Sequence, residues 1–539
     1  MIRIGLAQTN PTVGDIASNL EQVLAAVDQA TAREIRLLAC PELALIGYPP
    51  RDLLFDPRLL SAQDAAIARL AEYARRLPIT LVLGAVTPNP GLGKPLFNSL
   101  LVLDQGRIVQ RYHKQLLPTY DVFDERRYFE PGPRDPAILD VAGYRIGLLV
   151  CEDGWNYQGR DYAVDPLGDL AKAGANLAVS INASPFYVGK PAIRAGTLLK
   201  AGLPLAYVNQ VGGNDELVFD GNSFFADGGT IRTHGPGFRP DLVVADFDQG
   251  QFTGEAPLPC STEEAVFGAL TVGLRDYMAK TGFRSVVVGS SGGIDSALVI
   301  ALTALALGPE NVVAITMPSK YSSEGSSSDS ADLCQRLGVE LRTHPIENIV
   351  QTFHRGYNRA MHKNLSGLAA ENLQARVRGT ILMEYSNDLG ALLVSTGNKS
   401  EMSVGYCTLY GDTNGGIGLI GDLYKTEVYR LAQWINEKFE SLIPEAIIDK
   451  APSAELAPGQ RDSDSLPSYE ILDPLLRQIL EGEPPADPEA DLVLHERIED
   501  MLARAEFKRR QAPPIIKVHA RSFGGGRQMP IAARYARTK

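Results

Sequence analysis

Three side chains in the first half of the chain are of types that together can cleave an amide: Glu42, Lys114 and Cys151. Each follows a short apolar run. Residues 36–39 lead to Cys40-Pro41-Glu42, residues 108–113 to Lys114, and residues 146–150 to Cys151. Reactive groups in α/β domains gather at the carboxyl ends of strands, so the three are candidates to converge. A thiolate is the strongest side-chain nucleophile, but a free cysteine is mostly protonated at neutral pH. A carboxylate can take that proton. An ammonium can favour the thiolate and stabilise the oxyanion formed when a carbonyl is attacked. Taken singly, each residue has a plainer reading: Cys151 as a buried structural cysteine, Lys114 as a surface residue, Glu42 as part of an exposed loop.

The second half carries a different chemistry. An apolar strand at 285–288 runs into Gly289-Ser290-Ser291-Gly292-Gly293-Ile294-Asp295-Ser296, and a helix follows at 297–307. Glycines let backbone approach a phosphate, and successive N–H groups with a helix N-terminus then face the anion. Ser291 and Ser296 add hydroxyl donors. Asp295 repels a bare phosphate, so its presence points to an intervening Mg²⁺. No lysine follows the glycines, which excludes the loop of kinase-like nucleotidases. The plainer alternative is a glycine-rich turn with a Ser/Asp helix cap.

The elements that must position these groups fall into two domains, 1–255 and 256–539. At 539 residues the chain is too long for one ordinary core. The first half reads as a strand-rich α/β domain. Strands are expected at 2–8, 79–86, 177–182, 205–210 and 223–226, and a helix at 17–32 with Ser18 or Asn19 near its start. Hairpins are expected at 98–103/107–113, through Asp104-Gln105-Gly106, and at 137–141/145–150, through Ala142-Gly143. Residues 250–262 have linker composition, and a helix is expected at 263–280. Beyond it, strand and helix alternate at the spacing of a doubly wound parallel sheet. The serine-rich stretch 321–330 reads as a loop, either a solvated linker or a mobile lid over phosphates.

Composition narrows the function. Hydrophobic content of 45% with 22% charged residues is in the soluble globular range. No apolar run reaches membrane-span length and no signal peptide is visible. Five scattered cysteines suggest neither a disulfide frame nor a zinc site, so a cytoplasmic location is expected. A net charge of −12 speaks against nucleic acid as a partner.

Longer motifs carry family resemblances. CPELALIGYPPRDLL, YHKQLLPTYDVFDERRYF and CEDGW resemble the three motif regions of the nitrilase superfamily, in its glutamine-amidase branch. The resemblance implies an α-β-β-α sandwich with Glu42 as general base, Lys114 as oxyanion stabiliser and Cys151 as nucleophile. Glu125 would support this triad. Tyr120, Glu152, Ser184 and position 190 would hold glutamine. Position 190 is Lys where some relatives carry Arg; its ammonium faces a carboxylate as a point charge rather than a fork. SGGIDS resembles the pyrophosphatase loop of the adenine-nucleotide α-hydrolase-like family. That implies cleavage of ATP to AMP and pyrophosphate, with Gly289–Ser296 on the phosphates.

MPSKYSSEGSSSDS, ENLQARVRGTILMEYSN, STGNKSEMSVGYCTLYGD, GDLYKTEVYRLA, KAPSAEL and FKRRQAPP, in this order, resemble the NAD synthetase family. With the amidase in front, the resemblance extends to its glutamine-dependent members. It implies that Thr396 and Lys425 contact ATP, that Asp295 and Glu401 hold Mg²⁺, and that Asn372, Arg376, Glu401, Tyr406, Cys407, Thr408, Leu409 and Lys508 hold nicotinic acid adenine dinucleotide. A homo-oligomer built through the synthetase domain is implied as well. One departure is Ser463, where several relatives carry an acid, so no catalytic duty is assigned there. Because ammonia is mostly ammonium at pH 7, a protected passage between the two sites is expected. The competing classes are another ATP-pyrophosphatase amidotransferase and a non-catalytic nitrilase-like scaffold. The first usually carries a Cys-His-Glu or N-terminal-Cys glutaminase, whereas residue 2 here is Ile and no His follows Cys151 until His234.

Overall fold

The structure, a computed structural model, describes residues 1–156, 159, 161–254, 260–453, 455–457, 459–485 and 492–533. It divides into two compact units, Met1–Ala269 and Leu270–Lys539. The expected linker at 250–262 includes residues 255–259, which lie outside the described residues together with the 255/256 boundary.

In chain order the first unit comprises β1 (Ile2–Gln8), α1 (Ile16–Ala32), β2 (Leu37–Ala39), α2 (Pro57–Ala74), β3 (Thr80–Pro88), β4 (Leu96–Asp104), β5 (Arg107–His113), β6 (Ile138–Val141), β7 (Tyr144–Val150), α3 (Pro166–Lys172), β8 (Leu177–Asn182), α4 (Lys190–Leu198), β9 (Leu205–Asn209), β10 (Val211–Asn214), β11 (Leu217–Asp220), β12 (Phe224–Asp227), β13 (Thr230–His234), β14 (Asp241–Asp248) and β15 (Gln251–Phe252). Among the described residues, one sheet runs β15-β14-β1-β2-β3-β4-β5, a second runs β13-β12-β9-β8-β7-β6, and β10-β11 form a separate hairpin. Side chains alternate across a strand, and here both faces are apolar. Ile4, Leu37, Val82, Leu148, Val179 and Val208 point into the layer between the two large sheets. Leu38, Leu81 and Leu101 point the other way, under Leu20, Val27, Ile67 and Leu70 of α1 and α2. Leu149, Ala178 and Leu205 pack with Leu170 and Leu198 of α3 and α4. The result is an α-β-β-α sandwich.

Local chemistry explains the joints. Gln105 and Gly106 both have positive φ, +47° and +78°, as do Ala142 and Gly143, +51° and +83°. Two such residues match the twist of a two-residue hairpin. Helix α1 is capped by Asp15, whose carboxylate accepts from Ser18 N at 3.1 Å, rather than by Ser18 or Asn19. Asn19 is buried and bonds Thr12 O and Leu45 O, joining two loops.

The second unit follows α5 (Thr262–Thr281), within which the division between the units falls, with β16 (Val286–Ser290), α6 (Ile294–Leu307), β17 (Val312–Thr316), α7 (Glu324–Leu337), β18 (Glu340–Thr343), α8 (Glu347–Met361), α9 (Leu368–Leu389), β19 (Leu392–Ser395), α10 (Lys399–Val404), β20 (Ile417–Gly418), α11 (Lys425–Lys438), α12 (Glu445–Ile448), α13 (Tyr469–Glu481), α14 (Leu492–Arg504) and α15 (Glu506–Arg509). The strands are parallel in the order β18-β17-β16-β19-β20. Val287, Ile315 and Leu393 pack against Val350 of α8 and Val377 and Ile381 of α9. Helices α10, α13 and α14 form a separate apolar cluster around Leu472, Leu476 and Ile498. The chain leaves β16 for β17 on one side and later returns to β19 on the other. The crevice at that switch, at the carboxyl ends of β16 and β19, is where α/β sheets bind ligands.

The serine-rich stretch is not a loop throughout. Residues 324–330 are the first turns of α7, capped by Ser323, whose hydroxyl accepts from Ser326 N at 3.1 Å. Serines favour loops because their hydroxyls compete for backbone groups. Here tertiary partners take those hydroxyls: Ser326 donates to Glu455 at 2.8 Å, and Ser290 donates to Ser330 at 2.8 Å.

Gly84 of β3 lies against the loop that delivers Glu42. A Cβ there would meet the backbone of Pro41, Glu42 and Leu43. Gly84→Ala is therefore expected to destabilise the first unit by about 1–3 kcal/mol, the usual range for overpacking. An unchanged urea-unfolding midpoint would contradict this packing.

Candidate active sites

The first site forms where β2, β5 and β7 end. Glu42, Lys114 and Cys151 are all buried, at 0%, 1% and 6% exposure. Lys114 Nζ donates to Glu42 Oε1 and to Glu125 Oε1, each at 2.7 Å. Asn98 donates to Glu42 Oε1 at 2.7 Å, and the amide of Ala183, just past β8, donates to Glu42 Oε2 at 3.0 Å. Tyr48 OH donates to Glu125 at 2.8 Å. A buried ammonium needs such neutralisation, since removing a charge from water is costly.

Cys151 leaves β7 with φ +44°, in the left-handed region that non-glycine residues seldom occupy. Asp153 braces this turn. It accepts from Gln115 N at 3.0 Å, Leu116 N at 2.9 Å, Val150 N at 3.2 Å and Tyr112 OH at 2.8 Å. It thereby ties the cysteine turn to the segment just after Lys114. Burial, and next the charge of Glu42, hold the Cys151 thiol well above its ordinary pKa, with Lys114 only partly opposing. The resting thiol is neutral. Lys114 favours the thiolate, as expected, but burial and Glu42 outweigh it. Burial works against the charge of Lys114, but Glu125 and Glu42 outweigh it and keep the ammonium protonated. Glu125 is pushed up to about 7 by burial, with Lys114 opposing and Glu42 adding to the rise.

The residues expected at the glutamine end surround this set. Glu152 is buried and accepts from Tyr120 OH at 3.0 Å and Tyr162 OH at 2.9 Å. Tyr120 is half exposed, at the rim. Lys190, the first residue of α4, has its ammonium 4.0 Å from the ring centre of Trp155 and 5.0 Å from that of Tyr187. Burial, then the charge of Arg194, lowers it to about 8. Ser184 is buried, its backbone paired with the Asn209 side chain at 2.8 and 3.2 Å.

The second site forms at the β16/β19 switch. Gly289 and Ser290 complete β16, and α6 begins at Ile294. Gly292 has φ +75°, and a Cβ there would strike the backbone of Ser326 in α7, whereas Gly293 meets only Ser291 Oγ at 3.4 Å. Ser291 and Ser296 share a 3.0 Å hydroxyl contact, and each bonds backbone of the same loop. The Ser290 hydroxyl is turned to Ser330, and Ile294 is buried in the core, so these two can offer a ligand only backbone. Lys425, at the start of α11, is paired with Asp295 Oδ2 and with Glu401 Oε1, the latter at 3.3 Å. Asn398 joins Asp295 Oδ1 at 2.9 Å and caps α10, which carries Glu401. Thr396 stands one residue beyond β19 and is half buried.

Asp295 and Glu401 suit a magnesium ion. Mg²⁺ takes one or two protein carboxylates and completes its shell with water and phosphate. Among the described residues no group of three His, Cys, Asp or Glu is set to hold a metal alone. Glu401 is pushed up to about 8 by burial, with Lys425 opposing and Asp295 and Asp462 adding to the rise. Three acids, Asp295, Glu401 and Asp462, therefore stand near one lysine, and a divalent cation would favour their charged forms. Ser463 faces solvent; its neighbour Asp462 is the buried acid, held by Tyr469 OH at 2.9 Å.

The dinucleotide candidates also gather. Thr408 Oγ1 donates to Asn372 at 2.7 Å, and Arg376 Nε donates to Leu409 O at 3.2 Å. Lys508 donates to Gly405 O and Cys407 O, both at 2.7 Å, so segment 405–409 is gripped from two sides. Tyr406 N bonds Glu401 O at 2.9 Å. Burial pushes the Cys407 thiol up to about 12, so it stays protonated near neutral pH. Asn98, Asp153 and Asp462 escape the sequence reading. Their one signal is a polar residue inside or next to an apolar or motif run.

Comparison with known proteins agrees with both regions. Residues 3–254 match the carbon-nitrogen hydrolase family and residues 266–512 the NAD synthase family. The chain is 44% identical to the glutamine-dependent NAD(+) synthetase of a Synechocystis strain, covering 99% of each chain. It is 38% identical to that of Thermotoga maritima, again covering 99% of each. The solved glutamine-dependent NAD+ synthetase of Acinetobacter baumannii, in complex with adenosine diphosphate, superposes with a TM-score of 0.79 at 36% identity over 98% of both chains. That of Cytophaga hutchinsonii shares the fold with a TM-score of 0.83 at 21% identity.

Lys114→Met would leave Glu42 and Glu125 buried together without their cation. Expected are a loss of about 3–5 kcal/mol in the stability of the first unit and slower alkylation of Cys151, whose opposing positive charge is gone. Denaturant unfolding and mass-spectrometric counting of carbamidomethylated Cys151 test this; wild-type values in both would refute it.

Proposed function

The chain belongs to the glutamine-dependent NAD(+) synthetases, and from that premise we propose how its residues divide the work. Residues 1–255 act as a glutaminase domain and 256–539 as a synthetase domain. The reading is carried by one observation: a buried carboxylate–ammonium–thiol set and a strand–glycine loop–helix with its acid–lysine cluster occur on one chain.

In the first domain Lys190 faces the α-carboxylate of glutamine. Glu152, braced by Tyr120 and Tyr162, faces its α-ammonium, beside the Ser184 turn. The neutral thiol of Cys151 cannot attack unaided, so Glu42 takes its proton as Sγ bonds the amide carbon. Lys114, already against Glu42, stabilises the oxyanion. Glu42 returns the proton to the departing nitrogen, ammonia leaves, and a thioester remains. Water activated by Glu42 hydrolyses it to glutamate and restores the thiol.

In the second domain an oxygen of the carboxylate of nicotinic acid adenine dinucleotide attacks the α-phosphorus of ATP. Pyrophosphate leaves, and ammonia displaces AMP from the acyl adenylate to give NAD. Backbone N–H groups of Gly289–Ser296 and the start of α6 hold the phosphates, with Thr396 and Lys425 beside them. Asn372, Arg376, Tyr406–Leu409 and Lys508 hold the dinucleotide. Asp295 and Glu401 would hold Mg²⁺, which when bound neutralises phosphate charge.

A cytoplasmic location is part of the same reading. It is supported by five free cysteines and, among the described residues, by no helix long and apolar enough to cross a membrane. A homo-oligomer built through the second domain is supported by the family likeness.

Cys151→Ala is expected to abolish NAD formation from glutamine while synthesis from ammonium chloride stays near wild type. Loss of both would end the division of labour. Asp295→Ala should cut pyrophosphate release by about a hundredfold or more with either nitrogen source; wild-type release would remove Asp295 from the phosphate site.

A further inference from the structure

The most heavily buried ion pair of the first unit that the mechanism leaves unused lies behind the glutamine end. Arg194 is 1% exposed and Asp220 0%. The guanidinium reaches both carboxylate oxygens, NH2 to Oδ1 at 3.0 Å and NH1 to Oδ2 at 3.2 Å, and lies 5.3 Å from the ring centre of Tyr207. A pair taken so far from water returns little net stability compared with well-packed apolar residues. Its use is sought in what it holds.

The Asp220 carboxylate has three side-chain partners: Asn222 Nδ2 donates to its Oδ2 at 2.7 Å, and the other two lead toward the glutamine end. Through Arg194 it grips α4, whose first residue is Lys190, four positions earlier and on the same helix face. Its Oδ1 also accepts from Asn209 Nδ2 at 3.1 Å. Asn209 in turn clamps the backbone of Ser184, accepting from its N–H at 2.8 Å and donating to its carbonyl at 3.2 Å. The residue before Ser184 donates its amide to Glu42. One carboxylate therefore links the helix of the substrate-facing cation, the Ser184 turn and the strand end that orients the general base.

We propose that Asp220 and Arg194 are positioning residues for the amide substrate: paired in the core, they lock the helix bearing Lys190 to the Ser184 turn and leave Lys190 as the net positive charge presented to the substrate's α-carboxylate. This rests on the glutaminase reading above. The arrangement has an electrostatic signature. Lys190 is lowered to about 8 by burial and then by Arg194, while Cys151, Glu152 and Asp220 oppose that fall, and its remaining neighbours are the rings of Trp155 and Tyr187. Below that pH the ammonium is charged and attracts the carboxylate; above it the attraction is lost, so kcat/KM for glutamine should fall on the alkaline side. Removing the negative charge at 220 leaves Arg194 unopposed and moves this limb to lower pH. Removing the positive charge at 194 moves it to higher pH.

The test is the pH profile of kcat/KM for glutamine in the full chain, comparing wild type, Asp220→Asn, Arg194→Gln and the double variant. The substrate's own amino group titrates alike in all four. Expected are an alkaline limb near pH 8 in wild type and opposite shifts of about one pH unit in the single variants. The KM for glutamine should rise by roughly ten- to a hundredfold in each single variant, the scale of a small misplacement of substrate-positioning groups, with ammonia-supported synthesis unchanged. The neutral double variant should return the limb to its wild-type position. Should a single variant fail to fold, the double variant, which leaves no buried charge unpaired, is read by its KM instead: the KM for glutamine should rise at least about tenfold, and a wild-type KM would overturn the proposal. Shifts in the same direction, no shift, or no limb in wild type would overturn the proposal. Should Cys151→Ala retain glutamine hydrolysis, the glutaminase reading falls instead, which separates the two failures.

Discussion

An ammonium with almost no access to water, held between two carboxylates, is the constraint on which the first unit depends. Lys114 can stay charged there only because Glu42 and Glu125 each approach to 2.7 Å. Those carboxylates are held in turn by Asn98 and the Ala183 amide on Glu42 and by Tyr48 and Asn98 on Glu125. Each of these comes from a different part of the chain. The sandwich must therefore close correctly for the cluster to be affordable, and a misplaced strand would leave a bare charge in the core.

The second unit uses the same device with a looser fit. Lys425 stands between Asp295 and Glu401, with Asp462 adding a further negative charge. In the first unit three donors engage each carboxylate. In the second, the surplus of acids over lysine suits a pocket that receives a cation together with its phosphates. Both lysines follow a strand or open a helix, so main-chain geometry aims them before any side-chain contact forms.

The strand ends were legible because apolar runs that stop at polar residues announce themselves. Strands 2–8 and 177–182 coincide with β1 and β8, and the two hairpins follow from paired turn residues. The helices α2, α3 and α4 of the first unit escaped notice, and so did the strands β10, β11, β13, β14 and β15, short or half-polar and dependent on their neighbours for pairing; residues 241–247 of β14 align antiparallel to the whole of β1. The serine-rich stretch misled for a related reason. Hydroxyls that favour a loop in isolation are absorbed by Glu455 and by Ser290 once the second unit folds.

By itself the sequence determined which residue types are present at strand ends, that a glycine loop joins strand to helix, and that two such regions share one chain. It did so because strand periodicity and turn chemistry are local. Tertiary structure alone decided that burial and Glu42 raise the Cys151 thiol further, that Asp153 braces its turn, that Asp462 rather than Ser463 is the buried acid, and that Asp220 ties Lys190 to Ser184. Those are matters of burial and of charges brought together from distant positions, and neither quantity exists until the chain has folded.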